Sequence, residues 1–291
     1  MLVTLKEILK IAEEKNIAVG AFNCPNLEAL EGIIDAAEEL DLPVIIQFAQ
    51  GHQEIMDIDR IGPIMMIEAK RAKVPVCCHL DHGEDLEYVK KALDLGFTGV
   101  MFDGSTLPYE ENVEKTRKAV EMAHAVGASV EAELGSMGRR ESGTGDGGNS
   151  GVDDDTKIYT DPVLAKEFIA ATGIDALACS FGTTHGIYLK APKLDFDVVK
   201  NVRREADNIP VVMHGGSGVS AEDFHKSIKA GVRKINYFTY MDKAAGTAAA
   251  KELAKVAEGA PIFFTKMSVA ARAAMKENIK TAMKTFAMLD C

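Results

Sequence analysis

The alternation of strand-like and helix-like segments constrains this chain more than any other feature of its sequence. Eight short runs of apolar or β-branched residues, each bounded by polar turns, predict strands. The segments between them carry apolar residues three and four apart, which predicts amphipathic helices. The predicted strands span residues 17–23, 43–49, 74–80, 99–103, 129–135, 176–181, 210–215 and 234–238. The predicted helices span residues 27–40, 61–72, 86–96, 109–127, 162–173, 196–206 and 221–231, with a C-terminal helical segment from about residue 241.

Eight strand-then-helix units predict one closed α/β structure. Strands that are apolar throughout are typical of a parallel sheet covered by helices, and eight such units close into a (β/α)8 TIM barrel. The 291 residues fit a single barrel domain over residues 1–291. An open doubly wound sheet is the alternative. Its first strand would normally lead into a Gly-rich phosphate turn, whereas the chain here reads FNCPNLE.

The charge and composition favour a soluble protein that handles small metabolites. The formal net charge of −11 argues against nucleic-acid or membrane partners, although a local basic pocket for phosphate is still permitted. The five cysteines are odd in number and form no CxxC pair, so reduced thiols are expected. The N-terminus reads as an amphipathic helix, and no uncharged apolar run reaches about 18 residues. A cytoplasmic location is therefore expected.

One low-complexity segment follows the fifth predicted strand. Residues 138–155 read GRRESGTGDGGNSGVDDD and are rich in Gly, Ser and Asp. Loops that follow barrel strands line the face that holds active sites. The segment therefore predicts a mobile lid at about residues 136–156.

Polar side chains stand where most of the predicted strands end. Interior barrel layers consist mainly of branched apolar residues, so packing does not explain this set. If the strand assignments hold, these side chains converge on one rim of the barrel. They are Asn23, Asp81, His82, Asp103, Glu131, Glu133, Ser180, His185, His214 and Asn236.

Three histidines from different units predict a metal site. His82, His185 and His214 follow the third, sixth and seventh strands, and three histidines with one open position suit a catalytic zinc. Asp103 could orient one of these imidazoles. Any one of the histidines could merely cap a turn, but their shared placement favours the metal. The other histidines, His52, His79, His124 and His225, lack this placement and are expected to be structural or solvent-facing.

A Gly-rich turn after the seventh strand predicts a phosphate site. HGGSG (214–218) precedes a helix that starts near Ser220. Small residues let backbone N–H groups approach an anion, and a helix N-terminus adds favourable partial charge. Barrels often bind phosphate with the loops after strands seven and eight, so Asn236 and Thr239 could complete the cradle.

Carboxylates at the same rim supply candidates for proton transfer. Asp81 stands beside a predicted metal ligand, and Glu141 on the lid could act from the other side of a substrate. An exposed lid charge is the plain alternative for Glu141. A metal, a phosphate cradle and two proton-transfer groups together indicate carbanion chemistry next to a carbonyl.

At this point the sequence resembles the class II zinc-dependent ketose-bisphosphate aldolases, which include fructose- and tagatose-bisphosphate aldolases. The shared motifs occur in the family's order over nearly the whole chain, and the family fold is a (β/α)8 barrel. They are HLDHG (79–83), VEAELG (130–135), FGTTHGIY (181–188) followed by PKLDFD (192–197), HGGSG (214–218), and KIN (234–236) with Thr239 after it.

The resemblance implies reversible retro-aldol cleavage of a ketose (bis)phosphate to dihydroxyacetone phosphate and an aldehyde. It implies that His82, His185 and His214 bind Zn²⁺, and that Asp81 takes the proton of the C4 hydroxyl. Glu133 matches a glutamate that can contact the metal in an alternative position, and Glu141 matches the lid acid that exchanges the C3 proton of the triose.

The resemblance also implies a set of substrate contacts. The phosphate site would include a nearby monovalent cation, Na⁺ or K⁺. Members of the family form dimers or tetramers, so a homodimer or homotetramer is expected. The expected substrate- and phosphate-binding residues are Asn23, Gly186, Gly215, Gly216, Ser217, Asn236 and Thr239.

Several positions depart from the family pattern. The lid reads Arg139 and Arg140 before Glu141, with no aspartate after it. Phe238 stands where fructose-bisphosphate enzymes carry an aspartate, and Ala49 replaces a serine. These changes argue against an ordinary glycolytic fructose-bisphosphate aldolase.

A further departure concerns the far end of the substrate. Val269 occupies the position from which the family supplies an arginine to the neighbouring subunit's distal substrate phosphate. Lys266 or Arg272 could substitute, although a displaced cation does not simply replace an arginine fork. The alternative substrate is a ketose phosphate that lacks the usual distal phosphate.

Three other functions are alternatives to a class II aldolase. A class I Schiff-base aldolase needs a lysine at the upper end of a strand, whereas Lys234 stands at the lower start of the eighth strand. An amidohydrolase-type zinc hydrolase would carry HxH at its first strand, where this chain has FNC. A non-catalytic zinc-containing sugar-phosphate binding protein is the serious rival, because an altered lid could abolish proton transfer alone.

Overall fold

Eight parallel strands form a closed barrel in the computed structural model, which describes residues 1–135, 159–186, 188 and 192–289. Each strand pairs with the next along the chain, and the last pairs with the first. The (β/α)8 prediction is therefore confirmed, and the open doubly wound sheet is excluded. The strands are β1 (Val19–Asn23), β2 (Val44–Ala49), β3 (Val76–Gly83), β4 (Gly99–Phe102), β5 (Ser129–Leu134), β6 (Ala176–Cys179), β7 (Val211–Met213) and β8 (Val232–Tyr237).

Helices alternate with the strands, and most begin at a polar cap that the sequence supplies. The side chains of Asn26, Asp85, Asp161 and Ser220 each accept a backbone N–H of the first helical turn. The helices are α1 (Leu5–Lys15), α2 (Leu27–Leu40), α3 (Ile58–Arg71), α4 (Leu86–Asp94), α5 (Tyr109–Ala125), α6 (Pro162–Thr172), α7 (Phe196–Glu205), α8 (Ala221–Ala230), α9 (Thr239–Leu253) and α10 (Phe264–Phe286).

Helix α1 closes the amino end of the barrel. Its buried residues Leu5, Ile8 and Leu9 form one apolar cluster with inward-facing strand residues such as Val19 and Ile45. Burial of this apolar surface stabilises the closed end at roughly 25 cal/mol per Å². The plug leaves the carboxyl ends of the strands as the face on which a site can open.

Strand β3 differs from its prediction in a way that matters for the site. It continues through Gly83 rather than ending at residue 80, and its register against β4 shifts between Leu80 and Gly83. His82 has a φ of +45°, in the left-handed region that non-glycine residues seldom occupy. Side chains alternate between faces along a regular strand, so this irregularity lets consecutive residues Asp81 and His82 both face the site.

The described cysteines are reduced thiols, as the composition predicts. Cys24, Cys77, Cys78 and Cys179 are buried thiols outside any disulfide. Burial raises the pKa of Cys77 and Cys179 to about 12, so these thiols stay protonated. Among the described residues, no helix combines the length and the apolarity needed to cross a membrane.

Candidate active site

A cavity of about 200 Å³ opens at the carboxyl ends of the strands, opposite α1. It brings together residues that the sequence analysis predicted from β1, β3, β8 and the loops after β6, β7 and β8. Its lining comprises Asn23, Ala49, His52, Asp81, His82, His185, Gly186, Gly215, Gly216, Ser217, Asn236, Tyr237, Phe238 and Thr239.

His82, His185 and His214 meet at the base of this cavity. One ring nitrogen from each lies within 4.8 Å of the others. His82 Nε2 and His214 Nδ1 are 3.0 Å apart, and the His185 ring centroid lies 5.0 Å from that of His82 and 5.7 Å from that of His214. His82 thus converges with two histidines more than 100 positions away in the chain, as their shared strand-end position predicts.

Carboxylates fix the orientation of two of these imidazoles. Asp103 Oδ2 lies 2.7 Å from His82 Nδ1, and Glu131 Oε1 lies 2.7 Å from His214 Nε2. The nitrogens that remain are the two that face each other across the cluster. Burial acts to lower the pKa of His82, but the charges of Asp81 and Asp103 outweigh it and raise that pKa to about 9.

Glu133 adds a carboxylate to the same cluster. Its Oε2 is buried without a hydrogen-bond partner and lies 3.8 Å from His214 Nδ1. Burial, followed by the charge of Asp103, raises the pKa of Glu133 to about 8. Ligand atoms of Glu133, Asp103 and His82 also lie within 4.8 Å of one another.

This donor set fits a zinc ion. Three convergent imidazole nitrogens provide the ligands that a catalytic zinc prefers, with a position left for water or substrate. The carboxylates behind His82 and His214 are the partners that metal-bound histidines commonly have, because they hold the ring and its tautomer. The buried, unpartnered oxygen of Glu133 offers a further ligand at the same place.

Asp81 is held rigidly beside His82. Its Oδ2 accepts hydrogen bonds from Asn23 Nδ2 at 3.0 Å and Gln47 Nε2 at 3.1 Å, and its Oδ1 accepts one from Asn236 Nδ2 at 3.0 Å. Burial acts to raise the pKa of Asp81, but positive charge on His82 and these donors hold it below its usual value. Asp81 is therefore a fixed, ionised carboxylate aimed at the cavity.

The Gly-rich turn after β7 folds tightly against the loop after β8. Gly215 has a φ of +64°, and a Cβ there would lie 2.3 Å from Thr184 O. Gly216 donates its N–H to Asn236 O at 3.0 Å, so this N–H already has a protein partner. Ser217 Oγ accepts the N–H groups of Phe238 and Tyr240 at 3.3 and 3.4 Å.

The cradle thus differs in detail from its prediction. Gly215, Gly216, Ser217 and Thr239 line the cavity, and Thr239 is the first residue of α9. The Asn236 side chain donates to Asp81, although Asn236 also lines the cavity. The predicted helix N-terminus was that of the helix starting near Ser220, which is α8. The helix whose N-terminus lines the cavity, through Thr239, is instead α9.

The described cavity lining does not include several of the predicted residues. Glu141 and the lid predicted at about residues 136–156 fall in the range 136–158, outside the described residues. Lys266 stacks on Phe263 with its Nζ 5.9 Å from the ring centroid, and Arg272 pairs with Glu31 of α2. Neither cation lines the cavity of its own chain.

Glu131 corrects the expectation that every polar strand-end residue would stand on the rim. It lies within β5, is fully buried, and its Oε2 is 2.7 Å from Lys234 Nζ. Glu133 follows it by two positions, so both side chains point inward, but Glu131 lies one layer deeper. Ser180 is likewise absent from the cavity lining, and its backbone N–H donates to Thr160 Oγ1.

Three residues in or near the site were not predicted to belong to it, and for His52 the expectation of a structural or solvent-facing residue was wrong. Gln47 points inward from β2 to Asp81, and a buried polar residue in an apolar strand was the available signal. His52 lines the cavity and lies 4.9 Å from Phe238, ring centroid to ring centroid. Lys234 is fully buried and ion-paired with Glu131, so its amine is not presented to a substrate carbonyl.

Comparison with known proteins agrees with this geometry. The profile of the family described as fructose-bisphosphate aldolase class-II matches residues 3–290. A probable fructose-bisphosphate aldolase of Bacillus subtilis is 40% identical over 289 residues, covering 98% of this chain and 97% of that protein. The fructose-bisphosphate aldolase of Staphylococcus aureus strain Mu50 is 38% identical over 290 residues, with the same coverage.

A solved structure supports the same relationship. The YdjI aldolase from Escherichia coli K12 superposes with a TM-score of 0.85 at 35% sequence identity, covering 98% of this chain and 97% of that one. Family profile, sequence relatives and fold therefore agree over nearly the whole length. The chain belongs to the class II fructose-bisphosphate aldolase family.

Proposed function

We propose that the chain is a zinc-dependent aldolase that cleaves a ketose phosphate reversibly to dihydroxyacetone phosphate and an aldehyde. Members of its family depend on a metal and act on small sugar phosphates. The observation that carries the proposal is the bulged end of β3, where Asp81 and His82 stand side by side. A proton acceptor and a metal ligand would then stand next to each other in the lining of one cavity.

His82, His185 and His214 would hold the zinc ion, with Glu133 available as a ligand in an alternative position. When bound, zinc supplies a Lewis acid that polarises the ketose carbonyl. Asp103 and Glu131 keep the imidazoles oriented, so the ligand nitrogens need little reorganisation on binding.

Asp81 would take the proton of the C4 hydroxyl in the cleavage direction. Loss of this proton lets the C4 oxygen become the aldehyde carbonyl as the bond between C3 and C4 breaks. The electron pair of that bond stays on the triose portion, whose C3 must then gain a proton. Three amide donors hold both Asp81 oxygens, so the base is positioned before substrate arrives.

Glu141 is our candidate for the group that protonates C3. The proposal rests on sequence alone, from its match to the lid acid of the family. The Arg139 and Arg140 that precede it make the lid unlike the family pattern. An aldolase needs both proton transfers, whereas a non-catalytic binder needs neither. The presence or absence of proton transfer by Glu141 therefore distinguishes the two functions.

The triose phosphate would sit in the cradle between the loops after β7 and β8. Backbone around Gly215, the Ser217 hydroxyl and the N-terminal turn of α9 at Thr239 all face the cavity. A helix N-terminus favours an anion through its partial positive charge. Asn23, Gly186, Gly216 and Asn236 line the same space, and a monovalent cation, Na⁺ or K⁺, would help to neutralise the phosphate.

Two substrate classes fit the far end of the cavity. A fructose- or tagatose-type bisphosphate would need a cation for its distal phosphate, and Lys266 or Arg272 of a neighbouring subunit are the candidates. A ketose with a single phosphate would need none. Ala49 and Phe238 in the cavity lining, and Val269 at the family's arginine position, favour the second class.

An assembly of identical subunits is part of the proposal. The end of the connection between α9 and α10 and the first residue of α10 expose large apolar side chains, with Ile262 at 62%, Phe263 at 54% and Phe264 at 77% exposure. Contiguous exposed apolar surface of this kind is typical of a protein interface. A homodimer or homotetramer would cover it. The protonated, unpaired thiols suit a reducing cytoplasm.

The deciding experiment combines zinc content with retro-aldol release of dihydroxyacetone phosphate from a panel of ketose mono- and bisphosphates. We expect about one zinc per chain and cleavage that EDTA abolishes. Zinc binding without cleavage, and without exchange of the triose C3 proton, would instead identify a sugar-phosphate binding protein. Exchange without cleavage would mean that the aldehyde portion of the true substrate is missing from the panel.

A further inference from the structure

A charged cluster lies inside the barrel beneath the predicted metal ligands. Glu131 of β5, Lys234 of β8 and His79 of β3 are all fully buried. Glu131 Oε2 lies 2.7 Å from Lys234 Nζ and 3.3 Å from His79 Nε2. The proposed reaction uses none of these three side chains directly.

Packing stability does not account for this cluster. Interior barrel layers are normally filled by branched apolar side chains. Taking a carboxylate and an ammonium out of water costs more than their attraction commonly returns, and apolar residues of similar volume are often as good. The cluster is therefore better explained by what it does to a neighbouring group than by its own contribution to folding.

The neighbouring group is His214. The two oxygens of Glu131 have different partners: Oε1 lies 2.7 Å from His214 Nε2, while Oε2 faces Lys234. A carboxylate accepts, so Nε2 must donate and carries the proton of the neutral ring. The lone pair is then on Nδ1, the nitrogen 3.0 Å from His82 Nε2 in the metal cluster.

Lys234 restricts the carboxylate that does this. Its ammonium holds the second oxygen of Glu131, so the carboxylate cannot rotate away from His214 without breaking a buried ion pair. We propose that Lys234 is a positioning residue, which acts through Glu131 to hold His214 with Nδ1 presented to the metal. The inference rests on the proposed function, because it assumes a metal at His82, His185 and His214.

Zinc affinity is the measurement that tests this, in the metal-free protein titrated with Zn²⁺ against a competing chelator. Outer partners of metal-bound histidines typically contribute 10- to 100-fold in affinity. We expect Lys234→Met to weaken zinc binding about 10-fold and Glu131→Leu about 100-fold. Glu131→Gln keeps an acceptor for His214 Nε2 and should lose less than Glu131→Leu, a rescue that a merely structural role would not give.

The same strand offers a matched control. Arg233 neighbours Lys234 on β8 and is also buried, but its Nε lies 2.8 Å from Glu13 Oε2, away from the metal cluster. Arg233→Met should lower thermal stability while zinc affinity stays as in the native chain. Equal zinc affinity of Lys234→Met and the native chain would overturn the proposal, as would an equal loss in Arg233→Met.

The test still gives an answer if a variant does not fold or if the native chain binds no zinc. If Lys234→Met does not fold, the double variant Glu131→Gln with Lys234→Met leaves no unpaired buried charge, and it should fold yet bind zinc more weakly than the native chain. Native affinity in that double variant would overturn the inference. If the native chain itself binds no zinc, the proposed function fails first, and the two failures are thereby told apart.

Discussion

The metal side of the cavity and its wall after β2 are built in different ways. On the metal side, His82, His214 and Asp81 each have a fixed hydrogen-bond partner, drawn from three other strands or the loops that follow them. The wall after β2 consists of Ala49 and the His52 ring packed on Phe238. Under the proposed function, the reaction would therefore depend on this hydrogen-bonded network, whereas substrate choice would depend on a few side chains outside it.

The largest expected effect comes from removing a predicted zinc ligand. His82→Ala should lose zinc and reduce cleavage about 1,000-fold or more, because Lewis-acid stabilisation contributes several kcal/mol. His124→Ala is the control, since His124 is half-exposed and pairs with Asp175 away from the cavity. Metal analysis and steady-state rates check the pair. Full activity of His82→Ala would remove this residue from the site.

Removal of the base should have the next largest effect. Asp81→Asn leaves the metal ligands in place but cannot take a proton, so kcat should fall about 100- to 1,000-fold with zinc retained. The new amide would also face three amide donors, and the free energy of unfolding should drop by about 1–3 kcal/mol. Asp94→Asn, at an exposed ion pair, is the matched control. Normal kcat in Asp81→Asn would assign the proton transfer to another group.

Lowering the pH should weaken zinc binding without any substitution. The pKa of His82 is raised to about 9 in the metal-free protein, and a protonated imidazole cannot bind a metal. Zinc must displace this proton below pH 9, so affinity should fall by up to about tenfold per pH unit, or about 50-fold from pH 9 to pH 7. Chelator competition across this range measures the slope. A flat profile would contradict the raised pKa.

The smallest expected effect comes from the wall after β2. Phe238→Ala should change kcat/KM for different ketose phosphates by about 10-fold, in line with the 1–3 kcal/mol that apolar pocket contacts contribute to discrimination. Exchange of the triose C3 proton, which needs no aldehyde portion, should stay near native. A loss of exchange as large as the loss of cleavage would show that this wall also supports the reaction itself.

The fold could be predicted because its signals are local. The predicted helix at residues 27–40 coincides with α2, and the predicted strands fall within a few residues of those observed. Apolar periodicity and capping residues act over one or two turns, so they can be read without knowing what lies across the barrel.

The site could be predicted only in part, because its partners are set by long-range register. His82, His185 and His214 could be brought together by strand-end position alone. The bulge at His82 depends on how β3 pairs with β4, and the depth of Glu131 depends on the stagger of β5 in the closed barrel. Neither the bulge nor the depth leaves a signal in the neighbouring sequence. Gln47 and His52 were missed for the same reason, since their roles appear only once β2 lies beside β3.

A structure of the zinc-loaded enzyme, with the metal located by anomalous scattering at the zinc edge, tests the central claim most directly. We predict one peak about 2.0–2.1 Å from His82 Nε2, His214 Nδ1 and a ring nitrogen of His185, with Asp81 beside it and unbound. Zinc held elsewhere, or bound through Asp81 in place of His82, would contradict the account.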